Sequence, residues 1–92
     1  MDYNADIRSF CLSICIARQM ARAYGENQAR AITRAARKLR DQTKHPKVYE
    51  LAKFYANDVD CKTVDGERLT GDQAKVYSVT RLQLDMERSG IV

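Results

Sequence analysis

Between Ala29 and Arg40 the chain reads ARAITRAARKLR, and at helical pitch that string separates into two faces. Ile32, Ala35, Ala36 and Leu39 recur at i, i+3, i+4 and i+7, a single apolar stripe. Arg30, Arg34, Arg37 and Lys38 gather on the other side, within an arc of roughly 100° at 3.6 residues per turn. A helix with one dry and one strongly cationic side needs other elements to cover the dry one. Four cations held on one rigid surface repel each other unless something anionic sits nearby. This segment therefore constrains both the fold and the partner.

Ninety-two residues suffice for one domain with a modest core, and a single domain over 1–92 is expected. The formal charge of +4 is unevenly spread. Residues 18–47 hold nine basic residues against Glu26 and Asp41, a net of +7, whereas 1–17 sum to −1 and 48–92 to −2. Such a basic middle attracts nucleic acid, an acidic protein surface or an anionic membrane. The longest apolar run, Phe10 to Ala17, is far shorter than the ~20 residues a bilayer needs. Asp2 and Asp6 precede it where a signal peptide would carry cations. Three cysteines without framework spacing read as reduced thiols. A cytoplasmic protein with no membrane partner is the expectation.

Helical punctuation divides the rest of the chain. Asn4 suits a first N-cap, with Asp6 in the first turn. Ile7, Phe10, Ile14, Ala17, Ala21 and Tyr24 form one stripe; Cys11, Leu12, Cys15, Ile16 and Met20 widen it until residues 10–17 are apolar nearly all round. Such a helix is central to a core or half of a homodimer interface. Gly25 reads as a stop, with a kinked continuous helix as the alternative. Asn27 caps the basic helix, which runs to about Asp41. Pro46 opens a third helix with Val48, Leu51, Ala52, Tyr55 and Val59 inward. Asp65-Gly66 marks a turn, and 59–69 is either a short β-hairpin or a loop. Thr70 to Gln73 fits a capping box before a fourth helix that runs to about Ser89, with Gly90 as its stop. Val76 to Leu84 also suits a strand, but helix punctuation at both ends favours the helix. The expectation is all-α, about four helices, with room for a hairpin at 59–69; the runner-up is α+β.

No chemistry-bearing constellation is complete. Cys11, Cys15, Cys61 and His45 could compose a zinc site, but no CxxC is present and two of the thiols lie in the apolar run, where they act as small hydrophobes. His45, just before Pro46, reads as a cap or a solvated residue. Asp58, Asp60, Asp65 and Glu67 crowd one loop, yet Lys62 stands at the fifth position where an EF-hand needs oxygen, so a charged turn paired with Lys62 and Arg68 is expected. There is no phosphate-cradling glycine loop and no nucleophile beside the histidine. The chain reads as a non-enzyme without metal or cofactor.

The basic helix then carries the functional expectation. Arg30, Arg34, Arg37 and Lys38 would meet nucleic acid or a nucleoprotein complex, or else an acidic protein surface, with Arg18, Arg22, Arg40, Lys44 and Lys47 extending the patch. No aromatic interleaves with them, which argues against a single-strand stacking platform. Met20-Ala21-Arg22-Ala23-Tyr24-Gly25 followed by the helix Asn27–Arg40 resembles the helix-turn-helix pattern of phage and bacterial regulators, over roughly 24 residues. It departs from the pattern at Glu26, where an apolar turn residue is usual, and at Ile32, which arrives one position late. That resemblance implies a DNA-binding regulator. A short chain without enzyme motifs also fits the genre of phage accessory inhibitors, of the anti-CRISPR or anti-restriction kind, that block a host nucleic-acid-processing complex by protein contact.

Overall fold

The computed structural model describes residues 5–90. Four helices and one minimal hairpin follow in the order α1 (Ala5–Ala23), α2 (Gln28–Gln42), α3 (Pro46–Ala56), β1 (Cys61–Lys62), β2 (Arg68–Leu69) and α4 (Gly71–Arg88). The all-α expectation with a hairpin in 59–69 matches this architecture, and 76–84 is helix. The cap expected at Asn4 lies outside the described residues.

Local chemistry sets the helix ends. After Ala23, Gly25 adopts φ +69° and the Glu26 N–H reaches back to the Ala21 carbonyl at 2.8 Å, closing α1 with a left-handed turn. The continuous kinked helix is thereby excluded. Asn27 is extended, and its Oδ1 accepts from the Arg30 N–H at 2.9 Å, the side-chain cap that starts α2. His45 caps α3 through Nδ1, which accepts from the Lys47 N–H at 3.2 Å, with Pro46 in the first turn. The capping box at Thr70 does not form: its hydroxyl makes no cap bond. Gly71 takes φ +62°, outside helical space, so the chain enters the α4 spiral only after the position that Thr70 would cap.

Phe10, Cys11, Ile14 and Cys15 of α1, Ile32 and Ala36 of α2, Val48, Ala52 and Tyr55 of α3, and Val79 and Met86 of α4 share one buried cluster. Helix α1 touches all three other helices, and α2 packs against α3 and α4 as well. The Phe10 and Tyr55 rings lie 6.2 Å apart and tie α1 to α3. The apolar stretch of α1 is thus largely consumed inside this core. What remains outward of the large apolar side chains is Ile16 and Met20 on α1 and Tyr24 just past its end, each more than half exposed; the homodimer expectation rests on these three.

In the hairpin, Cys61 pairs with Leu69 and Lys62 with Arg68, antiparallel, around the Asp65-Gly66 turn. Two residues per strand cannot stand alone. Val59 anchors the segment in the interior, and the Val64 N–H donates to Tyr77 Oη at 3.3 Å. Asp60 pairs with Arg68 at 3.7 Å, one of the internal partners expected for the acidic loop.

Candidate functional site

Helix α2 is held on both flanks, which decides what its surface can offer. Ala29, Ile32 and Ala36 are buried, Ala35 and Leu39 partly so, and the stripe legible in the sequence is the stripe that packs. Arg30, Arg34, Arg37 and Lys38 are exposed. Among the described residues, no carboxylate lies within the 4.0 Å ion-pair distance of any of these four. Among the described residues, the one ion pair on α2 is Arg40 Nε to Asp41 Oδ1 at 3.2 Å, at the far end of the helix.

The nine expected site residues do not all belong to one surface. Arg30, Arg34 and Arg37 stand together along the edge of α2 that faces the end of α3 and the start of α4, and there they border a cleft of about 470 Å³. Lys38 lies further round the same helix and outside that cleft. Lys44 and Lys47 are exposed in and after the α2–α3 link, and Arg22 is exposed on the last turn of α1. Arg40 is half-buried and already paired. Arg18 is a correction: it is 8% exposed, its Nη2 donates to Gln83 Oε1 on α4 at 2.8 Å, and its Nε has no partner among the described residues. It serves the α1–α4 packing and cannot extend an outward patch, because it occupies a core-facing slot of α1.

Sequence reading missed Lys75. It lies in the first turns of α4, is 6% exposed, and lines the same cleft as the three arginines. Its Nζ donates to Thr33 Oγ1, which in turn donates to the Ala29 carbonyl at 3.0 Å. Burial lowers the Lys75 pKa below its ordinary 10.5; Asp58 and Asp72 act to raise it, and Arg37 acts with the burial. A signal was present: Lys75 falls in register with Val79, Leu82 and Met86, so it occupies an apolar slot of α4.

The remaining candidates separate from this surface. Cys11 and Cys15 are buried free thiols, and burial pushes Cys11 up to about 11, with Cys15 adding to the shift. Cys15 is raised too, by burial first, while Arg18 pulls it down and Glu87 adds to the rise. Protonated, buried thiols are poor ligands and poor nucleophiles. Among the described residues no three His, Cys, Asp or Glu side chains group as a metal site. A larger hollow of about 750 Å³ between the start of α2, β2 and α4 brings Glu67 and Asp72 to its rim but no cation. No helix among the described residues is long and apolar enough to cross a membrane.

Comparison with known protein families, with curated proteins and with solved structures finds no match to this chain.

Proposed function

We propose that this protein is a non-enzymatic binding domain that lays the cationic edge of α2 against the phosphate backbone of a nucleic acid, free or within a nucleoprotein complex. One observation carries the reading. Arg30, Arg34, Arg37 and Lys38 are exposed on a single rigid helix with no carboxylate of the described chain at ion-pair distance. Guanidinium forks fixed on a packed helix match phosphate oxygens and release the counterions condensed on the strand. Asn27 and the buried side of α2 hold the helix in register, so these side chains start from a common platform. Lys44 and Lys47, exposed in and after the link that follows α2, add positive charge beyond its C-terminal end. The three free cysteines fit action in a reducing compartment such as the cytoplasm.

Fluorescence anisotropy with duplex DNA, single-stranded DNA and RNA across a salt series tests this. Binding is expected to weaken steeply with salt, and Arg34→Ala to flatten the log–log slope by about one unit. Absence of binding at low salt, or full binding by the Arg30→Glu/Arg34→Glu/Arg37→Glu triple variant, would overturn it.

A second reading has its own observation. Ile16 and Met20 on α1 and Tyr24 in the turn after it recur every four residues and are 51, 53 and 74% exposed. An inhibitor that blocks a nucleic-acid-processing complex by protein contact would use such an apolar edge. It predicts no affinity for free nucleic acid and loss of inhibition on Met20→Glu.

A further inference from the structure

The deepest cation in the described chain makes no ion pair at contact distance, although Asp58 and Asp72 act on it from the walls of the same cleft. Lys75 is 6% exposed, and among the described residues no carboxylate lies within 4.0 Å of its ammonium. An ammonium has three N–H donors, and Lys75 uses one, on Thr33 Oγ1. An ordinary core lysine is either absent or paired, because a desolvated charge without a partner is costly. The place where Lys75 is tolerated is a cleft, not the middle of the core. Six charged groups line it: Arg30, Arg34 and Arg37 from α2, Lys75 and Asp72 from α4, and Asp58 after α3. Four cations against two carboxylates leave it at +2.

We propose that this cleft is a phosphate-binding site that takes one phosphate group, with Lys75 beneath it and Arg30, Arg34 and Arg37 around it. The inference deepens the α2-face reading and shares three arginines with it, but it rests in addition on Lys75, which an electrostatic surface contact would leave idle. A phosphate fits this chemistry because its several oxygens accept at once from an ammonium below and guanidinium forks at the side. Asp58 and Asp72 keep the empty site from excessive self-repulsion, and Asp72, with Asp58, works to hold Lys75 protonated against its burial. The volume, about 470 Å³, admits a phosphate together with part of what it is esterified to. A strand phosphodiester and a free phosphate compound share this chemistry.

The test follows Lys75 itself. Full-length chain with 13C-labelled lysine is titrated with inorganic phosphate, with acetate at equal ionic strength, and with a duplex oligonucleotide; the Lys75 Cε signal is assigned by its loss in Lys75→Met. Phosphate is expected to move that signal saturably and to raise the Lys75 pKa, acetate to leave it in place, and Lys75→Met to bind phosphate at least tenfold more weakly. Arg37→Gln, a change at an exposed side chain, is expected to weaken phosphate binding several-fold and guards against a Lys75 variant that fails to fold. An unmoved Lys75 signal at ~50 mM phosphate, weaker than any millimolar affinity, or an equal response to acetate, overturns the site. If the duplex moves Lys75 as phosphate does, the ligand is a strand phosphodiester; if phosphate moves it and the duplex does not bind at all, it is a free phosphate compound, and the site stands while the nucleic-acid reading falls. Duplex binding with Lys75 unmoved by phosphate and duplex alike does the reverse.

Discussion

Lys75 and Arg18 are the two cations that the fold takes out of water, and each sits where its helical neighbours are apolar. Arg18 comes four residues after Ile14 and three before Ala21; Lys75 comes four before Val79. The periodicity that identifies apolar stripes also flags these two as intruders, but it does not say whether a long side chain reaches water at its tip. Cys11 offers a cleaner residue-scale expectation, since its thiol is pushed from 9.0 up to about 11, by burial and then by Cys15. Above pH 9.0 the unfolded chain gives up a proton that the folded chain keeps. The stabilisation that this group contributes is therefore complete below 9.0 and is lost as pH climbs through about 11. Denaturation midpoints of wild type and Cys11→Ala should draw together across that window; a gap independent of pH would show that the thiol is not buried as described.

At the scale of elements, most boundaries follow from one or two residues each. Gly25 ends α1 because it accepts φ +69°, and Asn27 begins α2 because its carboxamide oxygen stands in for a missing backbone acceptor. Asn27→Ala should lower stability by about 1 kcal/mol, read from urea unfolding. The same change should weaken phosphate or nucleic-acid binding only modestly, because packing of Ile32 and Ala36 still holds α2. An unchanged midpoint would mean that the side-chain bond at 2.9 Å adds nothing beyond solvent contact. Thr70 shows where element-level reading fails. Threonine and glutamine stand at capping-box spacing, yet Gly71 turns the chain left-handed between them, so the pattern is satisfied in letters and not in geometry. The hairpin is legible from Asp65-Gly66, but its attachment is not: Tyr77 Oη and the Ala74 carbonyl of α4 hold it by accepting from the Val64 N–H and the Cys61 thiol.

For the whole molecule, one core must hold every element, and Phe10 is its largest fully buried side chain beside Ile14, Ile32 and Met86. Phe10→Ala removes the ring that meets Tyr55 and should destabilise by roughly 3–5 kcal/mol. For a marginal domain of this size that approaches the total stability. Differential scanning calorimetry would detect it as a large drop in melting temperature. A drop of only a few degrees would place the core elsewhere. The same packing polarises the surface, because burying the apolar side of α2 chiefly against α1 and α3 leaves Arg30, Arg34, Arg37 and Lys38 exposed.

Helix positions, their inward stripes and the cationic edge of α2 are determined by the amino-acid sequence alone, because capping and 3.6-residue periodicity act within a few residues along the chain. Which cations leave solvent was decided only by the tertiary structure. So was the meeting of Asp58, Asp72 and Lys75 with three arginines from a helix more than twenty residues away, and so was the division of α1 into buried Phe10 and exposed Ile16. The physical reason is that burial and charge proximity depend on what another helix places opposite. Periodicity fixes a side chain's direction from its own axis and carries no information about that neighbour.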